Sequence, residues 1–344
     1  MNYATSFARW VQAAPPVLGE GPAILAASPL ADNEVIAPLL KDQPATCFVP
    51  EDDPFRLPPN ARATIIPYSG AFAEPGDNLE LTGGTRFLLE SYRAAPFLAQ
   101  TAATVLAVFS SEDHAAFLDD ADAAFNAGQF EASLLHPSVI FADSPALGGP
   151  ARPGGAAQAR LYLDREGVAR AGLRGSQAAC LADVAAWTRG DLLGQVAGAV
   201  TAERSLAARP WLGRYLQAIA CLAAIPRDGA APRVSGFAWS LAGDDAGPVL
   251  DPAAPLIVGL GERHVVWLPA SGRAFAVSRD VATITDHIAR AAAGRELDPL
   301  HAVLGTTSEA AARARGQVHA HFFAAAVAPV IAATAAGPLA PVAA

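Results

Sequence analysis

Residues 255–328 carry the pattern that most narrows what this chain can fold into. Three apolar runs of strand length come first, at 256–260, 264–268 and 274–277. The sequence proline-alanine-serine-glycine at 269–272 predicts a tight turn between the second and the third run. Stretches whose apolar residues recur at helical spacing follow. The sequence therefore predicts a module of three strands and then three helices.

Capping residues and glycines predict where these three helices begin and end. Ser278 stands where an N-cap belongs, and the first helix is expected to end at Gly294. A short helix is predicted over 298–304, and Thr306 with Glu309 has the spacing of a capping box that begins the third. The apolar residues that define the inward faces are Val281, Ile284 and Ile288 in the first helix and Ala311, Val318, Phe322 and Ala325 in the third.

The stretch GERHVVWLPASGRAFAVSRDVATITDHIARAAAG resembles a known family. It is similar to the recognition element of pathways that modify ribosomally made peptides (RiPP), the winged-helix-like module of the pyrroloquinoline-quinone peptide chaperone. In that family the leader of a precursor peptide adds as a strand beside the third strand, in a groove walled by the third helix. The resemblance covers about a fifth of the chain and rests on pattern, in the turn 271–272, the strand 273–277 and the third helix.

The physical reason for peptide binding does not depend on the family. An open sheet edge offers unpaired backbone groups to an extended peptide, whose alternate side chains enter an apolar groove. Side chains two apart on a strand share a face, as do side chains four apart on a helix. The residues predicted to bind the peptide are Arg273, Phe275, Val277, Arg315, Val318 and Phe322. The two arginines are expected to pair with acidic leader side chains; in the plainer interpretation, Phe275, Val318 and Phe322 are core residues only.

The charge balance argues against a nucleic-acid partner. The chain carries a net charge of −9 at pH 7, which repels phosphate backbones. Residues 255–328 hold seven arginines against six acidic residues, so a nearly neutral module belongs to an acidic chain. A DNA-binding winged helix, the third interpretation of the module, requires several exposed basic residues on its third helix. Only Arg313 and Arg315 qualify there.

Short apolar runs alternate with helix-like stretches in the first half of the chain. Helices are expected over 85–100 and 112–126, with Gly128 as the stop of the second. The buried strands are expected at 22–28, 46–50, 63–67, 104–110 and 139–142. This alternation predicts an α/β layer with a largely parallel sheet, and a mixed α+β chain as a whole.

Shifts in composition divide the chain. The glycine- and proline-rich stretch 146–157 predicts a linker or exposed loop. A hairpin of 160–163 with 168–171 is expected next, and then two or three alanine-rich helices over 176–225. The predicted parts are an α/β domain of unknown role at 1–150, the hairpin and helical region at 158–232, the peptide-recognition module at 255–328 and a flexible tail at 329–344.

The sequence offers no catalytic or metal-binding motif, and we expect neither a metal nor a cofactor. His319 and His321 are two apart on a predicted helix, whereas paired helical ligands stand three or four apart. Acidic residues at 112–113 and 119–122 are explained by helix capping and the helix dipole. The loop at 68–77 is an ordinary connection or lines a pocket at a strand end.

Cysteines and hydropathy indicate the compartment. Cys47, Cys180 and Cys221 are far apart in apolar surroundings, which favours buried free thiols in a reducing environment. No run approaches the roughly 20 apolar residues that span a bilayer. The N-terminal residues lack the features of a secretion signal. We expect a cytoplasmic protein without membrane contact.

Three functions remain open. The first is a non-catalytic protein that binds a precursor peptide and presents it to a modifying enzyme. The resemblance to the stand-alone recognition proteins of daptide-class clusters implies an oxidoreductase acting on the peptide's C-terminus; a partner of a multinuclear iron oxidase is another setting. The second is an enzyme that uses the α/β half, with a pocket at the carboxyl ends of the first-half strands and a titratable residue of shifted pKa. The third is an assembly or scaffold protein.

Overall fold

The computed structural model describes residues 3–13, 21–27, 35–42, 44–52, 62–98, 102–148, 160–179, 190–196, 204–226, 231–241, 249–295 and 297–323. The expected tail at 329–344 lies outside the described residues, as do Cys180, Ala325 and most of the expected linker at 146–157.

In the described ranges, nine strands form one large sheet in the order β7-β6-β5-β4-β3-β2-β1-β8-β9. Neighbouring strands are parallel except where β4 and β9 take part, which run antiparallel to their neighbours. The expectation of a largely parallel sheet is therefore confirmed. The strands are β1 Ala23–Ala26, β2 Ala45–Pro50, β3 Ala63–Gly70, β4 Asn78–Leu81, β5 Thr85–Ser91, β6 Ala103–Ala107, β7 Val139–Phe141, β8 Arg160–Leu163 and β9 Ala169–Arg170.

The sheet curls around the first helix, α1 Tyr3–Val11. The Phe7 ring lies 5.1 Å from that of Phe48 in β2 and 4.7 Å from that of Phe87 in β5, measured between ring centroids. Trp10 Nε1 donates a hydrogen bond of 3.2 Å to the carbonyl oxygen of Leu161 in β8. One short helix reaches strands that are far apart in the sheet order only because the sheet bends around it. Phe7, Trp10 and the inward strand side chains form one apolar cluster.

The outer face of the sheet is covered by helices α2 Ile36–Asp42, α3 Ser111–Ala127 and α4 Leu212–Ala224, whose buried side chains belong to a second apolar cluster. The expected second helix is confirmed as α3. Ser110 caps it in a capping box with Asp113, and Gly128 ends it at φ 66°. Residues 204–208 are also helical.

A second sheet is antiparallel, in the order β10-β11-β12-β13. Its strands are β10 Arg233–Val234, β11 Leu256–Leu260, β12 Arg263–Leu268 and β13 Arg273–Val277, and they are followed by α5 Arg279–Ala292, α6 Leu300–Val303 and α7 Ser308–Phe322. Leu256, Val258 and Trp267 pack into the cluster that covers the large sheet, whereas Ile257 and Val266 pack against α5, α6 and α7. Strands β11 and β12 are thus buried on both faces. The chain is mixed α/β, as expected.

Most expected elements of the C-terminal part appear within a residue or two. Ser278 caps α5, its Oγ accepting from the Val281 N–H, and Gly272 in the β12–β13 turn has φ 62°. The cap of α7 was predicted one residue too early, because Thr307 accepts from the Ala310 N–H rather than Thr306 serving as the cap.

Two expectations for the rest of the chain are wrong. Residues 85–100 do not form a helix, since Thr85–Ser91 is strand β5 and Tyr92–Phe97 forms 3₁₀ turns. The buried side chains of β5 are Phe87 and Leu89, which have the two-residue period of a strand. Residues 176–179 are not helical, because Gln177 makes an antiparallel bridge to Arg170. The helix over 212–224 is confirmed, and much of the region between lies among residues that the structure does not describe.

Candidate functional site

Strand β13 is the edge of the second sheet. Within the described part of the chain its one partner strand is β12, with a continuous register from His264 opposite Val277 to Leu268 opposite Arg273. Arg273, Ala274 and Ala276 are exposed, and Phe275 and Val277 are half-buried. The strand contains no proline and no bulge, two of the features that commonly protect a sheet edge. Its outer edge therefore suits the addition of another strand.

Phe275 and Val277 share one face of β13, as expected, and both pack against the apolar cluster formed with α5 and α7. The Phe275 and Phe322 rings lie 5.7 Å apart between centroids. The structure thus brings the strand and the third helix together through their side chains.

A cleft of about 320 Å³ opens beside this contact. Three parts of the chain line it: the loop before β11, the β12–β13 turn with the start of β13, and the last turn of α7. The lining residues are Ala253, Pro255, Leu268, Pro269, Ala270, Ser271, Arg273, Phe275, His321 and Phe322. Most of these side chains are apolar, so the cleft suits an apolar side chain of a ligand.

The buried side chain of Arg214 in α4 binds the backbone of the loop that forms one wall of the cleft. Its guanidinium donates to the carbonyl oxygens of Asp251 at 3.2 Å, Ala254 at 2.9 Å and Pro255 at 2.9 Å. Burial lowers the pKa of Arg214 to about 10, so the side chain stays charged at neutral pH. These bonds fix the loop that carries Ala253 and Pro255, and the cleft is built partly from outside the predicted module.

Two cationic side chains lie at or near the cleft. The Arg273 guanidinium carbon is 5.0 Å from the centroid of the Phe275 ring, in a cation–π contact that leaves Arg273 exposed. Arg315 is exposed on α7 and does not line the cleft. It lies on the same side of the helix as Phe322, about 10 Å earlier along the axis.

The six residues predicted to bind a peptide divide into two groups. Arg273, Phe275 and Phe322 line the cleft, whereas Val277, Arg315 and Val318 do not. Val318 is 7% exposed and Phe322 5%, so both contribute chiefly to the core. This agrees with the plainer interpretation for these two residues, although Phe322 also forms part of the cleft wall.

Sequence reasoning missed the parts of the cleft that come from distant segments. Ala253 and Pro255 precede the first strand of the module, and no local pattern connects them with β13. Leu268 was assigned to a strand only. His321 was considered only as a metal ligand, yet its ring packs edge-on against Phe275 at 5.9 Å. The two-residue spacing of His319 and His321 did predict that the two side chains have different surroundings.

The two histidines of α7 do point to different neighbours. His319 stacks on Phe323 at 5.5 Å, whereas His321 contacts Phe275 and Phe322. Among the residues that the structure describes, no three His, Cys, Asp or Glu side chains come together in a way that could hold a metal ion.

Two acidic residues of α3, Asp113 and Asp122, stabilise the fold. Asp113 accepts hydrogen bonds from the Ser91 hydroxyl and from the Phe109 and Ser110 N–H groups. Asp122 forms a two-bond ion pair with Arg209, at 2.8 and 2.7 Å. These contacts include the capping role expected at the start of the helix.

A second depression, of about 310 Å³, lies where β3 and β8 end. Its lining is Ala73, Glu74, Tyr162, Asp164, Arg165, Glu166, Arg170, Leu173, Arg174 and Gln195, so the loop at 68–77 does line a pocket at a strand end. Ion pairs of 2.8 Å between Arg170 and Asp164 and of 2.9 Å between Arg174 and Glu74 occupy its walls. Burial, with the nearby Asp164 carboxylate, raises the pKa of Tyr162 to about 12. The phenol therefore stays protonated at neutral pH and serves as a hydrogen-bonding group rather than a base.

Two of the three cysteines are described, and both are buried free thiols, as expected. Burial raises the pKa of Cys47 and of Cys221 to about 12. Such thiols are poor nucleophiles at neutral pH.

No protein-family model matches the chain, and neither the curated proteins nor the solved structures include a significantly similar one. None of the helices in the described ranges is long and apolar enough to cross a membrane. The function is therefore argued from the geometry of the two sites.

Proposed function

We propose that the chain binds an extended segment of a ribosomally made precursor peptide along β13 and presents it to a partner enzyme without taking part in the chemistry. The observation that carries this proposal is the regular outer edge of β13, with the Phe275 side chain in an apolar cleft beside it. An added strand would satisfy the backbone groups of the edge, and one of its side chains would enter the cleft. Arg273 would attract an acidic neighbour of that side chain.

The order of three strands and then three helices supports a winged-helix-like recognition module of the RiPP type. The proposed peptide-binding set is Arg273, Phe275, Val277, Arg315, Val318 and Phe322, with Leu268, Pro255 and His321 added from the cleft. The partner is a peptide-modifying enzyme in the cytoplasm, such as an oxidoreductase of a daptide-type antibiotic pathway.

Fluorescence anisotropy with labelled peptides encoded by short reading frames beside the gene tests this function. We expect micromolar binding of one such peptide, and a Phe275→Ala variant should bind at least tenfold more weakly, about 1.4 kcal/mol. Phe97→Ala is the matched control, because Phe97 is 87% exposed in the first half of the chain. If no neighbouring peptide binds with micromolar affinity, the proposal is wrong.

Charge at the cleft supplies a second test. Arg273→Glu should weaken binding of a peptide with acidic residues, and this loss should shrink at high salt because exposed charges are screened. Arg62→Glu makes the same charge change at an exposed position outside the module and should leave affinity unchanged. If the Arg273→Glu variant and the unmodified chain bind the peptide with equal affinity, Arg273 is not part of the binding site.

The depression at the ends of β3 and β8 favours a second candidate function, a small-molecule site or an active site in the α/β half. Its position at the carboxyl ends of parallel strands is where open α/β sheets bind ligands. Thermal shift with amino acids, carboxylic acids and nucleotides tests this candidate. Stabilisation that disappears in Arg174→Met but persists in Arg279→Met would support it, and no stabilisation by any compound would count against it.

A further inference from the structure

The Arg174 side chain, at the depression where β3 and β8 end, makes only half of the contact that an arginine can offer a carboxylate. Its Nη2 donates a hydrogen bond of 2.9 Å to Oε2 of Glu74. Its Nε is buried and makes no hydrogen bond to any residue in the described ranges. A buried donor without an acceptor is costly, so this N–H group favours an incoming acceptor.

An ion pair elsewhere in the chain shows the complete contact. Arg209 uses both Nε and Nη2 for the two carboxylate oxygens of Asp122, at 2.8 and 2.7 Å. The same two nitrogens lie on one edge of the Arg174 guanidinium, and Glu74 takes only one of them. A carboxylate placed along that edge would give both N–H groups an acceptor, in a two-bond pair that is stronger than a single bond.

The position of Arg174 does not depend on Glu74 alone. The Arg174 guanidinium carbon lies 4.8 Å from the centroid of the Phe109 ring, in a cation–π contact. The backbone of Arg174 is also fixed, because its carbonyl oxygen accepts a hydrogen bond of 3.0 Å from the Gln195 N–H. These contacts keep the guanidinium at the depression when its carboxylate partner changes.

Glu74 can leave Arg174 without a change of the backbone. The Glu74 side chain is 63% exposed, and ion pairs with an exposed partner are weak. The backbone around it is held separately, since the Asp77 carboxylate accepts from the N–H groups of Ala73 and Glu74 at 2.8 and 2.9 Å. A rotation of the Glu74 side chain into solvent therefore frees the Arg174 edge at a small cost in free energy.

The charges around the depression indicate which ligand fits. The charged residues that line it are Arg165, Arg170, Arg174, Glu74, Asp164 and Glu166, and their formal charges cancel. When Glu74 turns away, the rest of the lining carries one excess positive charge, which a single carboxylate neutralises. A phosphate dianion exceeds that charge and is repelled by the two remaining carboxylates. Since Tyr162 and Gln195 also line the depression, hydroxyl groups of a ligand find hydrogen-bonding partners there.

We propose that this depression binds a small hydroxy-substituted monocarboxylic acid, whose carboxylate replaces Glu74 on Nε and Nη2 of Arg174. Glu74 is then a competitor built into the chain, which occupies the arginine until such an acid arrives. The inference deepens the second candidate function, the small-molecule site in the α/β half, on which it rests. It is independent of peptide binding along β13.

Isothermal titration calorimetry of the full chain with lactate, glycerate, gluconate and inorganic phosphate tests this exchange of carboxylates. Glu74→Gln removes the competing carboxylate and should bind the preferred acid about threefold more tightly, as the loss of a weak, exposed ion pair allows. Glu166→Gln makes the same charge change at an exposed position of the same depression. This control should change the affinity by less than about twofold, because screening weakens charge effects between exposed groups. Equal gains in both variants, or a gain in neither, would overturn the proposal.

Arg174→Lys supplies the second arm, because lysine keeps the charge but lacks the edge with two donors. It should bind the acid about tenfold more weakly, whereas Arg165→Lys, at an exposed position of the depression, should bind it as the unmodified chain does. Thermal unfolding of each variant shows that it is folded. Tighter binding of phosphate than of every acid would overturn the assigned ligand class.

Further outcomes separate this inference from the candidate function beneath it. If amino acids or nucleotides bind in a manner that requires Arg174 but no hydroxy acid does, the small-molecule site stands and this inference is lost. If none of these compounds binds, even to Glu74→Gln, both are lost.

Discussion

At the scale of the residue, Asp286 ties three parts of the C-terminal structure together. Its carboxylate accepts hydrogen bonds from the Ser235 and Ser240 hydroxyls and the Leu241 N–H, and it forms an ion pair with Arg290. Asp286 and Arg290 are both 1% exposed. The segment after β10 is thereby fixed to α5, and a buried arginine keeps its counter-charge.

Asp286→Ala should lower the free energy of unfolding by about 3–5 kcal/mol, because it removes a buried ion pair together with the hydrogen bonds that the Asp286 carboxylate accepts. Urea unfolding followed by circular dichroism measures the loss. Asp280→Ala, on the same helix but exposed, is the matched control and should cost less than about 1 kcal/mol. A similar loss in both variants would show that the buried network contributes nothing of its own.

Buried His114 gives the protein a pH dependence. Burial lowers its pKa, and Arg209 lowers it further, so the folded state favours the neutral ring. The associated stability is present above the unfolded pKa of about 6.5 and is lost as the pH falls through the lower folded value. The unfolding free energy should therefore decrease from pH 7 to pH 5 by less in His114→Gln than in the unmodified chain. His301→Gln, at an exposed position, is the control and should show the same decrease of the unfolding free energy as the unmodified chain. A smaller decrease in His301→Gln but not in His114→Gln would contradict the role of His114.

At the scale of the element, α1 acts as the inner core of the large sheet rather than as a covering helix. Phe7 is completely buried and contacts aromatic rings from β2, β5 and the loop after β3. Phe7→Ala should cost about 3–5 kcal/mol of stability, since it empties a closely packed aromatic site. Tyr3→Ala tests the same helix at a 39% exposed position and should cost less than about 1 kcal/mol. Chemical unfolding measures the loss of stability in both variants. Equal losses would mean that α1 is not held in the sheet by Phe7.

Local patterns predicted the elements that have a clear period. Strands β1, β2, β3, β6 and β7 are short apolar runs and were located, as were α3 and the strands and helices after residue 256. Strand β5 was mistaken for a helix because Phe87, Leu88 and Tyr92 also have helical spacing, and only tertiary contacts select the strand. Strand β4 was missed because its four residues offer just Leu79 and Leu81 as apolar signals. Strand β10 was also missed, because its two residues are too few to show a period. It is recognised as a strand only by its pairing with β11.

At the scale of the whole molecule, the two sheets share one apolar cluster. Leu256, Val258 and Trp267 of the second sheet belong to the same apolar cluster as the buried residues of α3 and α4, which cover the outer face of the large sheet. The sequence suggested a separable module at 255–328, because each of its elements can be recognised locally. How its strands bury their second face depends on residues far away in the chain, and local periodicity carries no information about that contact. The cleft depends on the same contact through the loop held by Arg214.

Residues 255–323 expressed alone should therefore aggregate or fail to give a dispersed amide NMR spectrum, because one face of the sheet would expose a large apolar patch. Replacing Leu256, Val258 and Trp267 by serine, serine and glutamine should restore solubility to this fragment. The same three changes in the full chain should lower its stability, since they remove side chains from the shared cluster. A dispersed, monomeric spectrum of the unmodified fragment would instead establish an independent domain.

The hydrogen bond from Trp10 to the carbonyl of Leu161 spans 151 residues. During synthesis at the usual 5–20 residues per second, the segment that becomes α1 leaves the ribosome roughly 8 to 30 s before β8 exists to receive it. The aromatic side chains at its centre must stay clear of wrong partners throughout that interval. Production of this protein in cells should thus depend on how the α1 segment is shielded until β8 has been made.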